Sequence, residues 1–124
     1  MSYSYKFKLH PKRLVVAVHV GLQSEFNLDF PHLWTGDDEA EVWFPRQPIS
    51  HSDVAHEGVH LTTWGEETLT PEEWDALVPS KGMARKKGRA AMREEAQARM
   101  MDRYIDSFYQ HARHNGLLML DPKV

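Results

Sequence analysis

Apolar and polar residues alternate at the start of the chain: Tyr3, Tyr5, Phe7 and Leu9 interleave with Ser4, Lys6 and Lys8. A period of two places the two sets on opposite faces, which predicts a β-strand with one wet face. His10-Pro11 interrupts it. Leu14 to Val20 is β-branched and nearly all apolar, the composition of a more central strand. The two strands are expected to form a hairpin around Pro11, with Gly21 ending the second and His19 as a structural or surface histidine. Residues 22–39 mix Phe26, Phe30, Leu33 and Trp34 with Asp29, Pro31, Gly36, Asp37 and Asp38. They read as a connection whose aromatic side chains anchor it to the core. Ala40 to Phe44 is a short third strand, stopped by Pro45 and Pro48.

The second half reads as helical. One helix is expected from about Ser52 to Thr63, ending near Gly65, with Ser50 or Ser52 as its cap and Asp53 in its first turn. Thr70-Pro71-Glu72-Glu73 joins a cap, an N1 proline and a capping-box glutamate, and starts a short helix running to about Leu77. Lys81 to Arg89 holds Lys81, Arg85, Lys86, Lys87 and Arg89 with two glycines, and reads as a basic mobile loop. A long helix is expected from about Ala90 to His114, stopped by Asn115-Gly116. Leu117 to Leu120 makes a last strand or a tail over the core. The expected fold is α+β, a single domain over residues 1–124 with a small three-stranded sheet, one central helix and a long C-terminal helix.

Composition narrows the chemistry. There is no Cys, which removes disulfides, thiolate ligands and a Cys nucleophile. The net charge of -3 argues against a nucleic-acid or membrane-surface protein as a whole, leaving only the basic loop as a patch for phosphate or an acidic partner. The N-terminus lacks an apolar signal region and no run approaches ~20 apolar residues, so a cytoplasmic protein is expected.

The chemistry concentrates in His56-Glu57-Gly58-Val59-His60, an HExxH pattern within the first expected helix. Residues i and i+4 lie one turn apart on one helix face, so two imidazoles so placed can grip one ion, usually Zn²⁺. Such an ion lowers the pKa of its water towards ~7, and the glutamate of the motif is the general base for that water. That assigns His56 and His60 as metal ligands and Glu57 as the catalytic base. A third ligand is needed. The metzincin extension fails, because Thr63 and Glu66 stand where Gly and His are required. Glu66 and Glu67 are too close in sequence to fold back easily. The long helix offers Glu94-Glu95-Ala96-Gln97-Ala98 near its start, and His111 and His114 near its end.

Taken with Glu95-Ala96-Gln97-Ala98 and the apolar Met100 and Met101, the HExxH stretch resembles small zincin-like proteins of bacteriophages and the related ImmA/IrrE-type metallopeptidase domains. The likeness covers about residues 40–110. Arg99 stands where an aromatic is common, and the Leu-Met-Pro ending of ImmA-type helices is absent. The resemblance implies a gluzincin-type centre with Glu95 as third ligand, and a host-cytoplasm location if the chain is phage-encoded. Helical spacing instead turns Glu94 inward, on a stripe with Ala98, Met101, Ile105, Phe108 and Ala112.

The expected function is a zinc-dependent hydrolase, a peptidase, in which a metal-activated water attacks a carbonyl. His51, Tyr104 and Tyr109 are candidate oxyanion partners, and strand residues 41–44 are candidates to hold an extended peptide by β-augmentation. The alternative is a zincin-fold protein that binds a host or viral partner without catalysis, through Val42 to Phe44 and the Lys81 to Arg89 loop. A third reading treats the His pair as accidental in a metal-free domain.

Overall fold

The alternation in the first twenty residues becomes a hairpin. A computed structural model of the chain describes residues 2–117 and 119–120. Strands β1 (Tyr3–Lys8) and β2 (Val15–Val20) pair antiparallel, with Tyr3 opposite Val20 and Lys8 opposite Val15. Tyr5, Val16, Val18 and Val20 are buried, while Ser4, Lys6 and Lys8 face water. The connection is tight: the Leu9 N–H donates to the Leu14 carbonyl at 2.9 Å. Leu14 adopts φ 65°, a left-handed conformation that L residues disfavour, while its side chain is fully buried.

The sheet has four strands where three were expected. Beyond β2 come β3 (His32–Thr35) and β4 (Glu39–Phe44), and the order across the sheet is β1-β2-β4-β3. β4 runs parallel to β2 and antiparallel to β3. β3 lies inside the stretch read as an anchored connection. Its four residues are too few to show an alternation, and Pro31 directly precedes them. A further correction follows. Val42 to Phe44 is not an exposed strand: β4 is paired on both sides, and Val42 and Phe44 are fully buried. β3 is the edge.

β5 (Ile49–Ser50) leads directly into α1 (His51–Thr68), followed by α2 (Pro71–Trp74), α3 (Met83–Lys87), α4 (Arg89–His114) and β6 (Met119–Leu120), which pairs with β5 in parallel. The start of α1 follows the expected chemistry, with the Ser50 hydroxyl accepting from the Asp53 N–H at 3.0 Å. The helix runs five residues past Thr63 because Gly65 serves packing instead of termination. A Cβ on Gly65 would meet Met100 Sδ at 2.7 Å and Leu9 Cδ2 at 2.9 Å. Gly58, two turns earlier on the same face, does the same: its Cβ would meet Met101 Sδ and Tyr104 Cε2 at 2.8 Å. These two glycines let α4 lie close against α1. Tyr104, fully buried, closes the seam by donating its hydroxyl to the Val54 carbonyl at 2.8 Å. Within residues 81–89, read as a loop, α3 forms a helical turn, and Arg85 donates to the carbonyls of Asp75, Val78 and Pro79. Of the C-terminal stretch, Leu118 lies outside the described residues.

α2 holds the hairpin to the helices. The Arg13 guanidinium grips both Glu73 carboxylate oxygens, at 2.9 and 2.8 Å, and also Asp38 at 2.7 Å. The fully buried His10 accepts from the Lys12 N–H through Nδ1, which leaves Nε2 to donate to the Glu73 carbonyl at 2.9 Å. The Arg13 guanidinium holds the Glu73 carboxyl below its ordinary value.

Two predictions follow from this packing. Gly58→Ala gains helix propensity but drives a methyl into the Tyr104 ring, which its hydrogen bond fixes, so a net loss of about 1–2 kcal/mol is expected in urea unfolding. Glu73→Gln should cost about 1 kcal/mol at neutral pH. Because Glu73 is more acidic in the folded state, its contribution is complete above its unfolded pKa and lost as pH falls through its folded one. The stability gap between parent and variant should therefore close on acidification.

Candidate functional site

Packing on α4 decides where the HExxH residues point. Val54, Gly58, Leu61 and Gly65 form the buried stripe of α1. At 100° per residue, His56 lies about 200° around the helix from Gly58, and His60 follows it one turn later. Both rings are therefore exposed on the side away from α4. Their Nε2 atoms are 3.2 Å apart and the rings meet edge to face. In the free protein one Nε2–H can donate to the other nitrogen. The spacing also suits an ion: bonds of ~2.0–2.1 Å in tetrahedral geometry set two nitrogens about 3.3–3.4 Å apart.

Glu57 sits between these rings and the core, and its residue is only 4% exposed. Burial pushes its carboxyl above the ordinary carboxylate range, an effect that the nearby His56, His60 and His32 oppose and Asp53 reinforces. A carboxylate made more basic beside two exposed imidazoles has the character of a general base.

The three residues open into a groove of about 590 Å³ between α1 and the edge strand β3. Phe30, Pro31, Leu33 and Thr35 wall one side; Thr63, Trp64 and Glu67 continue the α1 wall. The Trp64 indole N–H donates to the Gly36 carbonyl at 3.2 Å and fixes the distance between helix and strand. Phe30 (57% exposed) leaves apolar surface at the groove, and Val59 (54%) leaves apolar surface on the α4 side of α1. His32, also at the groove, is turned to the sheet's other face. There it stacks on Trp43 at 5.2 Å and hydrogen-bonds Ser24, while His19 packs on the same indole. Sequence reasoning missed Thr35, Trp64 and the β3 wall. The signal available for them was the aromatic density of residues 26–34.

Glu95 is not brought to the groove. The α4 residues that reach α1 include Arg93, Gln97, Met100, Met101, Tyr104 and Tyr109. Glu95 lies about 200° around the helix from Gln97, and its carboxylate accepts from Arg99 Nε at 3.0 Å. Glu94 does face α1, beside Val59 and Thr62, but it does not line the groove. His111 stacks on Tyr5 with ring centroids 4.0 Å apart. Glu66 faces α4 and pairs with Arg93. Among the described residues no group of three or more His, Asp or Glu could hold an ion. The candidate oxyanion partners lie elsewhere as well: Tyr104 is committed to Val54, and the Tyr109 hydroxyl and His51 Nδ1 hydrogen-bond each other. In the basic segment Arg85 pairs with Asp75 and Arg89 lies over the Trp74 ring. No helix among the described residues is long and apolar enough to cross a membrane.

The buried Glu57 carries a stability consequence. Its folded pKa is raised, so above that value the folded state holds a charge that the unfolded state solvates better. Glu57→Gln should therefore raise the melting temperature at neutral pH, and the gain should vanish as pH falls below the carboxylate range, measured by thermal unfolding between pH 4 and 8. No family model, curated protein or solved structure matches the chain.

Proposed function

We propose that this chain is a divalent-metal-dependent hydrolase acting on peptide-like carbonyl substrates, with Glu57 as general base. One observation carries the reading: on a single helix, two exposed imidazoles converge to 3.2 Å beside a buried, more basic carboxylate. His56 and His60 would hold the ion, Zn²⁺ being the usual choice for such nitrogens. A bound ion would supply Lewis-acid activation of water and of the substrate carbonyl. The chain's own residues do the rest. Glu57 takes the proton from the attacking water and returns it to the leaving group. Its burial makes it a stronger base than an ordinary exposed carboxylate. β3 presents an unpaired edge along the groove, so an extended substrate can add to it through backbone hydrogen bonds. This moves the substrate strand from residues 41–44 to 32–35. Thr35 and Trp64 then border the bound chain. The zincin-like resemblance agrees with this reading in its HExxH helix; its expected Glu95 ligand is committed to Arg99.

A second reading is also favoured by an observation. Phe30 leaves exposed apolar surface at the groove, as in a protein-binding surface. A partner that docks there without being cut would use the same groove.

The test combines metal binding with turnover. By equilibrium dialysis against buffered Zn²⁺, the parent should bind about one ion per chain, His56→Ala and His60→Ala should lose it, and Glu95→Ala should retain it. Across a peptide panel, Glu57→Gln should keep the ion and lose about 100-fold or more in rate. Full turnover in Glu57→Gln overturns the hydrolase. Bound ion with no turnover in the parent selects the partner-binding reading.

A further inference from the structure

The charge of the groove is one-sided. None of its lining residues is Lys or Arg, and its carboxylates are Glu57 and Glu67. Glu57 is nearly buried, yet among the described residues its carboxylate takes no hydrogen bond or ion pair. Glu67 is exposed and forms no ion pair among them either. The arginines of the adjoining cavity are engaged elsewhere, Arg93 with Glu66 and Arg89 over the Trp74 ring. Two unpaired carboxylates sharing one groove favour a cationic occupant. The wall next to Glu67 narrows its kind. Trp64 precedes Glu67 by one helical turn, so indole and carboxylate are neighbours on the helix surface. An aliphatic stem ending in a cation, the side chain of Lys or Arg, matches that pair.

The open edge of β3 supplies the backbone half. The Gly36 N–H donates to the Glu39 carbonyl, and pairing alternates from there, so Trp34 with Glu41 and His32 with Trp43 are the hydrogen-bonded pairs. Leu33 and Thr35 therefore turn their backbone N–H and C=O groups away from β4, to the open edge, and both residues line the groove. A strand added there alternates in step with β3, so every second side chain points at α1. Glu57 and Glu67 lie about 15 Å apart along the helix axis, the span of about four to five residues of extended chain. We propose that the groove holds an extended basic polypeptide, paired to Leu33 and Thr35 of β3 and selected by a Lys or Arg side chain that lies along Trp64 and ends on Glu67. This rests on the groove being a polypeptide site, as in both readings above, and adds the chemistry of the chain it takes; no metal ion enters it.

The test measures binding of fluorescein-labelled peptide amides to the full chain by anisotropy, at about pH 8, where ordinary imidazoles are neutral. Three octapeptides alternate Thr with Lys, with Gln or with Glu. The Lys peptide should bind about fivefold tighter than the Gln peptide, and the Glu peptide weakest, a preference that shrinks with added salt. Glu67→Gln should abolish the preference of Lys over Gln and leave the affinity for the Gln peptide unchanged; Glu67 is exposed, so the variant keeps the fold. Glu72→Gln, the same charge change at an exposed site off the groove, should keep the preference. N-methylation of one alternate set of residues in the Lys peptide should abolish binding, and of the other set should not, as pairing along one edge requires. Equal affinities for the three peptides, or equal effects of Glu67→Gln and Glu72→Gln, overturn the proposal and leave the groove as a polypeptide site. Binding that survives both methylations overturns it by removing the strand pairing. Dimers that the Lys peptide does not displace give the edge to a second copy and overturn it too. Binding of none of the three peptides removes the polypeptide groove and this inference together. Turnover is a separate measurement, so the hydrolase reading can fail while this selection stands.

Discussion

The close approach of α4 to α1 governs the rest of this molecule. It is possible because Gly58 and Gly65 present no side chain where Met101, Tyr104, Met100 and Leu9 must sit. The Tyr104 hydroxyl on the Val54 carbonyl then locks the rotation of α1 about its axis. Once that rotation is fixed, helical periodicity leaves no choice for its other positions. His56 and His60 must face the opposite side, and Glu57 must sit at the boundary between core and groove. Gly58 is thus both an interior residue of the HExxH pattern and the residue that aims the pattern outward.

Most of the secondary structure was legible because it follows local rules. The alternation from Tyr3 to Leu9, the Ser50 cap and the Thr70 capping box all appear as read, the last with both of its reciprocal hydrogen bonds. What was not legible depends on contacts distant in sequence. β3 exists because β4 pairs with it and Trp64 ties its turn to α1, interactions that the four residues His32–Thr35 do not announce. The end of α1 was misplaced because a glycine read as a stop is a packing residue when a second helix lies against it. The rotation of α4 was the hardest to read. A stripe drawn through Glu94, Ala98 and Met101 lies some way around the helix from the buried line Ala96, Met100, Tyr104, Phe108 and Ala112. That offset decides which glutamate faces α1.

Eight histidines in 124 residues invite metal assignments, and the fold employs most of them otherwise. His10 braces the hairpin turn against α2, and His19 and His32 sandwich the Trp43 indole across three strands. The sandwich keeps Trp43 nearly buried on the sheet face that the helices do not cover. His51 hydrogen-bonds Tyr109 and His111 stacks on Tyr5. Among the ring contacts of the described residues, His56 and His60 are the histidines that turn to each other. Beside them Glu57 is nearly buried, and that burial raises its carboxyl above its ordinary value.

The same helix rotation sets the cost of Glu57. Its residue is only 4% exposed, and burial raises its carboxyl above its ordinary value, a rise that His56 and His60 beside it oppose. A carboxylate held in this way is a charge kept at a cost in stability, which a side chain facing water would not pay. The packing of Gly58 and Gly65 on α4 that turns the two imidazoles outward is also what holds Glu57 against the core. The orientation of the groove residues and the stability of α1 therefore depend on one contact, the α1–α4 seam.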